Sequence, residues 1–207
     1  MGTKWMITSG HPLASQAGAA ILDRGGNAVD AAIAANAVLN VVRPHMCGIG
    51  GDAFIILYVA REKEIKALNA SGRSPYKATR DFFVKMGMEK IPDKGILTAT
   101  VPGAVDGWIT ALENHGTMSL ETLLQRAIEY AEGGFPVYRE LSLVIENESS
   151  LLERCPDSKR IFLTNGRPPK PGELLVQNDL AESLKKIAEG GKDTFYRGEL
   201  GRALVKF

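Results

Sequence analysis

The sequence predicts an α/β protein of the α+β kind, mainly helical, with one β hairpin. Three observations lead to this prediction. First, the segment before residue 45 is rich in alanine and contains residues that can cap helices. Second, Ala53 to Val59 is a continuous apolar run with β-branched and aromatic residues. Third, the later half has helical periodicity interrupted by glycine stops. A chain of 207 residues is long enough for one substantial hydrophobic core or two small ones.

Two helices are expected first. Ala14 to Leu22 has helical character and ends at Arg24-Gly25-Gly26. Asn27 can cap a long helix that continues to Val42 and is stopped by Arg43-Pro44. Alanines cover nearly all faces of this second helix, which predicts burial with close neighbours on several sides. They stand at positions 28, 31, 32, 34, 35 and 37.

A hairpin is expected next. Ala53 to Val59 is apolar without interruption, which is typical of a strand covered on both faces. Arg61 to Glu64 is polar and predicts the turn, and Ile65 to Asn69 predicts the returning strand.

Four further helices, each with a start or stop signal of its own, are expected after residue 100. They are Pro102 to Asn114, with Gly116 in the left-handed region after it; a helix capped by Ser119 and ended by Gly133-Gly134; a helix capped by Asn178 and ended by Gly190-Gly191; and one from Glu199 to Phe207. The last has no stop signal, so we expect residues 1–207 to be a portion of something longer, with no internal domain boundary.

The composition excludes several kinds of partner. Hydrophobic residues make up 44% and charged residues 24%, and the formal net charge is +1, which gives no electrostatic footprint for nucleic acid or an anionic membrane. No apolar run approaches the roughly 20 residues that span a bilayer, and no secretory signal is visible, so we expect a cytoplasmic location. Cys47 and Cys155 lie outside any CxxC pattern, and no HxxxH or HExxH spacing occurs, so neither a disulfide nor a metal site is expected.

A glycine-rich segment at residues 48–53 resembles a cofactor motif only in its spacing. Gly48, Gly50 and Ala53 fit G-x-G-x-x-A, but that fingerprint needs a strand before it and a helix after it, and here the order is reversed. We therefore expect no nicotinamide, flavin or other cofactor. Gly48, Gly50 and Gly51 are interpreted as a structural loop with positive φ and close backbone approach. Cys47 lies two residues after His45, but we interpret its thiol as a small buried side chain and not as a nucleophile.

The loop from Leu68 to Pro75 is the best candidate for binding. It follows a strand and carries an amide, two hydroxyls and a guanidinium beside Gly72, and binding residues commonly occupy loops held by a scaffold. Arginine can hold a carboxylate by two parallel hydrogen bonds. Asn69, Ser71 and Arg73 are the candidate substrate-binding residues, and the alternative is a solvated arginine that closes a turn.

Seven short motifs follow one another along the chain, at residues 11–18 (HPLASQAG), 25–32 (GGNAVDAA), 48–51 (GIGG), 101–105 (VPGAV), 116–120 (GTMSL), 134–137 (GFPV) and 195–198 (FYRG). In this order they resemble the large subunit of the γ-glutamyltransferase (γ-glutamyltranspeptidase, glutathione hydrolase) family, in its amino-terminal part.

This resemblance implies an N-terminal-nucleophile hydrolase with a four-layer αββα sandwich, incomplete in this chain, made as a zymogen that processes itself into two subunits. It implies acyl transfer from a γ-glutamyl amide such as glutathione, through an acyl-enzyme on the amino-terminal threonine of the small subunit. No Thr-Thr or Thr-His stretch of the cleavage type occurs here. We therefore expect no catalytic residue in this chain, no activity of the chain alone, and partnership with the remaining large-subunit and small-subunit polypeptide and a small amide substrate.

One departure bears on the substrate. Typical members carry an arginine four positions before the proline that matches Pro75, where it grips the α-carboxylate of the donor. Ser71 holds that position here, and the nearby arginine is Arg73. The arrangement Asn-x-Ser-Gly-Arg-x-Pro at residues 69–75 is similar to that of the divergent γ-glutamyltransferase-like branch. Two alternatives stay open: an acylase or amidase of the same fold with a non-glutamyl substrate, and a non-catalytic fold fragment that binds a partner.

Overall fold

The computed structural model describes residues 2–206, and most of them are helical. The α-helices of this part are α1 Pro12–Asp23, α2 Ala28–Val42, α3 Arg80–Lys85, α4 Ala104–His115, α5 Leu120–Gly133, α6 Arg139–Asn147, α7 Ser149–Leu152, α8 Pro156–Phe162, α9 Asn178–Tyr196 and α10 Glu199–Lys206. The strands are β1 Ala53–Val59, β2 Glu64–Ala70, β3 Phe135–Pro136 and β4 Leu174–Leu175.

The described residues divide into two compact units. The first contains residues 2–48 and 111–206, and the second contains residues 49–110. Helix α4 contributes its first seven residues to the second unit and the rest to the first.

The core of the first unit is built on helix α2. Helices α1 and α5 both pack against α2, α9 packs against α5, and α10 packs against α9. The predicted burial of α2 is confirmed for four of its six alanines, since Ala31, Ala34, Ala35 and Ala37 are all buried while Ala28 and Ala32 are exposed. Their small side chains allow neighbouring helices to approach closely, and the fully buried Leu124 and Ile187 extend the core.

The predicted starts of two helices are confirmed. The Asn27 side chain accepts hydrogen bonds from the backbone N–H groups of Val29 and Asp30, and the Asp30 carboxylate accepts one from the Asn27 N–H, which completes a capping box. The Ser119 hydroxyl accepts from the Thr122 N–H at the start of α5.

Of the two boundaries predicted for α9, the start is wrong by one residue and the stop is confirmed. Asn178 lies inside α9, and the residue before the helix is Gln177, whose side-chain amide donates to the Val41 carbonyl at 2.8 Å. Gly191 is not helical, with φ 61° and ψ −153°, and it divides α9 into two helical segments, so the stop predicted at Gly190-Gly191 is confirmed.

Gly116 is not left-handed, contrary to the prediction. Its role is close approach, because a Cβ there would lie 2.9 Å from the Asp30 carboxylate oxygen Oδ1.

The second unit contains the predicted hairpin. Strands β1 and β2 pair antiparallel, with Phe54 opposite Asn69 and Tyr58 opposite Ile65, and the connecting turn places Lys63 at φ 55°. The face that carries Ala53 and Ala70 lies against Gly107 of α4, where a Cβ would meet both alanine side chains.

Burial of β1 on both faces was expected, and this is wrong for the described residues. Phe54, Ile56, Tyr58 and Ile65 share the other face of the hairpin and are 72%, 78%, 63% and 75% exposed. The physical reason is that the hairpin forms a sheet of two strands with only one covered face. We call these four residues the open face.

Strands β3 and β4 form the other two-stranded sheet, in the first unit. Two sheets of this size in residues 2–206 do not make four layers, and the αββα sandwich stays a prediction for the whole protein. None of the helices in this range combines the length and the apolar character needed to cross a bilayer.

Candidate functional site

The loop that follows β2 is the site predicted from the sequence, and Asp52 anchors it. The Asp52 carboxylate oxygen Oδ1 accepts hydrogen bonds from the Gly72 N–H at 2.6 Å and from the Thr100 hydroxyl at 3.4 Å. The Asn69 side-chain oxygen accepts from the Ser71 N–H at 2.9 Å, which forms an Asx turn. Because β1 begins directly after Asp52, the hairpin and the loop are fixed at the same end.

The backbone of the segment before α4 closes the other side of this loop. The Val101 N–H donates to the Arg73 carbonyl at 3.0 Å. A Cβ on Gly72 would overlap the Val101 carbonyl, and one on Gly103 would overlap the Ala70 carbonyl. Both glycines are therefore required by close backbone approach, and neither has a positive φ.

The three predicted residues lie within five consecutive positions of the chain. Asn69, Ser71 and Arg73 are all exposed, and no described carboxylate forms an ion pair with Arg73. Asn69 lies on the same side of the hairpin as the open face, directly opposite Phe54. The segment thus offers a guanidinium, a hydroxyl and an amide to a ligand beside an exposed apolar surface. That these residues bind substrate stays a prediction.

The glycines at 48–51 differ from expectation. Gly48 and Gly50 have no positive φ, and a Cβ on either would meet nothing within 4 Å, so the expected close approach is absent at both. Gly51 does have a structural contact: its carbonyl accepts hydrogen bonds from the N–H groups of Gly103 and Ala104, each at 2.9 Å, at the start of α4. Because every residue has a backbone carbonyl, these bonds do not require glycine at position 51, and the structural role of Gly48, Gly50 and Gly51 stays a prediction.

Sequence reasoning missed the part that Asp52 and Thr100 play. Asp52 stands 20 residues from Gly72 and Thr100 stands 48 residues from Asp52, and neither pairing leaves a pattern in a single sequence. Asp52 lies inside the G-x-G-x-x-A spacing of residues 48–53, at a position that this spacing leaves unspecified.

The described residues contain no metal cluster of histidine, cysteine and carboxylate side chains. Burial raises the pKa of the Cys47 thiol, and the positive charge of Arg43 opposes this shift without cancelling it. A protonated thiol is a poor nucleophile. The sequence predicts a small buried residue at Cys47, and the structure shows it half-buried.

Comparisons with known proteins point in one direction. Residues 14–207 match the sequence model of the family described as gamma-glutamyltranspeptidase. The chain is 47% identical over 206 residues to the glutathione hydrolase-like YwrD proenzyme of Bacillus subtilis (strain 168), covering 99% of this chain and 39% of that protein. It is 41% identical over 215 residues to the acylase ACY 1 proenzyme of Pseudomonas sp. (strain SE83), covering 100% of this chain and 38% of that protein.

Among solved structures, the crystal structure of Helicobacter pylori gamma-glutamyltranspeptidase matches with a TM-score of 0.94 and 34% identity, covering 100% of this chain and 60% of that one. The chain therefore spans about two fifths of the length of these two curated relatives.

Proposed function

The chain belongs to the gamma-glutamyltranspeptidase family, and on that premise we propose that it is the amino-terminal portion of an amide-cleaving enzyme. The match over residues 14–207, with proenzymes among the relatives, carries this proposal. In the proposed reaction, a threonine hydroxyl outside these 207 residues attacks the amide carbonyl, the amine leaves, and water or an amine takes the acyl group. The chain supplies binding groups for the donor and the frame around them.

The open face supports the proposal that further polypeptide completes the protein. Four large apolar side chains on one side of a two-stranded sheet are exposed in the described residues, and isolated hairpins of this kind have marginal stability in water. We propose that the remaining large-subunit and small-subunit polypeptide covers them and that the αββα sandwich is completed in this way.

The proposed substrate is a small amide with a carboxylate group that Arg73 holds. Backbone hydrogen bonds hold the chain on both sides of the Arg73 Cα, from the Gly72 N–H to Asp52 and from the Val101 N–H to the Arg73 carbonyl, while the exposed Arg73 side chain has no described carboxylate as an ion-pair partner. A γ-glutamyl donor such as glutathione has the required α-carboxylate.

A second candidate is an acylase or amidase with a non-glutamyl substrate. The observation in its favour is Ser71, which replaces a guanidinium by a neutral hydroxyl at the family's carboxylate-binding position, and one relative is a protein named as an acylase. A non-catalytic scaffold has no observation of its own in its favour. The cytoplasmic location expected from the sequence stays a prediction.

The test is Arg73→Ala in the full-length protein, with Arg80→Ala as the control because Arg80 is also an exposed arginine of the second unit. Loss of a charged hydrogen-bonding partner is expected to lower kcat/KM for a γ-glutamyl anilide by about 10- to 100-fold, which corresponds to about 1.4–2.8 kcal/mol. Arg80→Ala should leave it unchanged.

An unchanged kcat/KM in the Arg73→Ala protein would show that Arg73 does not hold the donor carboxylate. If the unaltered protein cleaves simple acyl amides and leaves γ-glutamyl anilide intact, the acylase candidate replaces the glutamyl one. Absence of cleavage for every amide tested, by a correctly folded full-length protein, would contradict both.

A further inference from the structure

A second cluster of polar groups lies entirely in the first unit and is not used by the proposed reaction. It consists of His11, Arg43, His45 and Tyr138, which we call the Arg43 cluster. The rings of His11 and Tyr138 are in contact, with centroids 5.0 Å apart. The Arg43 guanidinium is near enough to both histidines and to Tyr138 to alter their titration, and it fills the space where a Cβ on Gly10 would be.

The guanidinium at the centre of this cluster has no anionic partner. Arg43 is half-buried, and no carboxylate among residues 2–206 forms an ion pair with it. The acidic side chain that affects Tyr138 is Glu140, which is exposed and makes no ion pair with Arg43 in the described residues. A half-buried cation without a counter-charge is uncommon, because removal from water costs free energy that a partner normally offsets.

Two buried polar atoms of the cluster also lack hydrogen-bond partners. They are the ring nitrogen Nδ1 of His45 and the hydroxyl of Tyr138. Although Arg43 approaches the Tyr138 hydroxyl, no well-aligned hydrogen bond joins them. Buried polar atoms are nearly always paired in folded proteins, so unpaired atoms beside an unpaired cation indicate a missing group that pairs with several of them.

The helix geometry favours a negative charge at this place. His11 is the residue before α1 and Tyr138 is the residue before α6, so the amino-terminal ends of two helices meet where these rings touch. The Tyr138 side chain does not cap α6. Helix amino termini carry partial positive charge and attract anions, which adds to the charge of Arg43.

From this geometry we infer that the Arg43 cluster binds one carboxylate group, supplied either by a small molecule or by an acidic side chain of the remaining polypeptide. The guanidinium donates two parallel hydrogen bonds to the carboxylate, and the Tyr138 hydroxyl donates a third.

The cluster carries a single positive charge, on Arg43, and this favours a ligand with a single negative charge. Burial lowers the pKa of His11 and of His45, and the positive charge of Arg43 lowers both further. Both rings are therefore neutral at pH 7, in agreement with His11 Nδ1 accepting a hydrogen bond from the Leu13 N–H. One guanidinium balances one carboxylate, whereas a phosphate dianion would leave excess negative charge.

Histidine NMR of the full-length protein tests this inference, because residues 1–207 contain three histidines, of which His115 is outside the cluster. Each ring signal is assigned by a single His→Gln substitution. Sodium acetate is then added against sodium chloride at equal ionic strength. For a small-molecule ligand, the signals of His11 and His45 shift saturably with acetate and not with chloride, while His115 does not move.

A crystal structure of the full-length protein without acetate separates the two sources. A side-chain carboxylate oxygen in hydrogen-bond contact with the Arg43 guanidinium supports the inference and identifies the polypeptide as the source. A guanidinium without such a partner, together with saturable acetate shifts, supports it with a small molecule as the source. A guanidinium without a partner and no acetate shift at His11 and His45 overturns it.

Two variants check the role of the guanidinium in the small-molecule case. Arg43→Met is expected to raise the dissociation constant for acetate at least about tenfold, and Arg43→Lys, which keeps the charge but not the two-pronged geometry, by a smaller factor. Arg139→Met is the matched control, since Arg139 is exposed and follows Tyr138 directly. Equal affinity in the Arg43→Lys, Arg43→Met and unaltered proteins would contradict binding by Arg43.

Discussion

At the scale of single residues, Asp30 shows how one buried carboxylate joins distant parts of the chain. It is fully buried, and its two oxygens accept hydrogen bonds from the Thr117 hydroxyl at 2.6 Å and from the N–H groups of Asn27, Thr117 and Met118. Burial raises the pKa of Asp30, but these hydrogen bonds, with the Thr117 hydroxyl the largest contributor, together hold it below its ordinary value. The carboxylate thus ties the start of α2 to the segment before α5.

Asp30→Asn is expected to destabilise the protein by about 2–3 kcal/mol, because an amide NH₂ would face N–H donors that now share a carboxylate. Chemical denaturation of the full-length protein at pH 7 measures this loss. Asp23→Asn is the control, since Asp23 is exposed at the end of α1. A loss no larger than that of the control would contradict the role given to Asp30.

The same carboxylate predicts a dependence of stability on pH. Since the folded pKa of Asp30 is depressed, its contribution is complete above the unfolded value of about 4 and is lost as the pH falls through the folded value. The unaltered protein should therefore lose more unfolding free energy between pH 5 and pH 3 than Asp30→Asn does. Parallel curves for the two proteins would show that Asp30 is not the group responsible.

Single residues also show what the sequence could and could not predict. The cap at Asn27 is a local signal, because the side chain reaches N–H groups two and three residues later, and it was predicted correctly. The partner of Asp30 is 87 residues away, and the anchor of Gly72 is 20 residues away. Contacts of this kind depend on how elements pack, which periodicity and capping do not encode.

At the scale of elements, the hairpin and its following loop form the frame of the candidate site. Exposed and partly buried residues alternate along β1. The sequence does not show this alternation, because the residues of both faces are apolar, and burial of both faces was therefore expected. The structure separates a face against α4 from the open face. The position of the loop was predictable as the end of a strand, whereas its anchoring by Asp52 was not.

Gly72→Ala tests whether close packing of this loop against residues 100–101 positions Arg73. A methyl group there would overlap the Val101 carbonyl, so we expect a cost of about 1–3 kcal/mol and a lower kcat/KM for the amide substrate. Gly50→Ala is the control in the same unit, because a Cβ there meets nothing within 4 Å of the described residues. Unchanged stability and activity in the Gly72→Ala protein would contradict this account of the loop.

At the scale of the whole molecule, the two compact units bury different amounts of their apolar surface. The first has a helical core around α2 with many fully buried side chains, whereas the second leaves the open face exposed. The unit division was not expected from the sequence, because the first unit is discontinuous and no linker composition marks its boundaries. Family membership, by contrast, was predictable from short ordered motifs, since many of them lie at helix starts and turns where local geometry restricts residue choice.

We propose that this chain is part of a self-processed amide hydrolase whose nucleophile lies in other polypeptide. Intact-mass analysis of the purified native gene product, with amino-terminal sequencing, tests it most directly. We expect two co-purifying polypeptides, the larger containing this chain and the smaller beginning with threonine. A single unprocessed polypeptide that folds and remains uncleaved would contradict it.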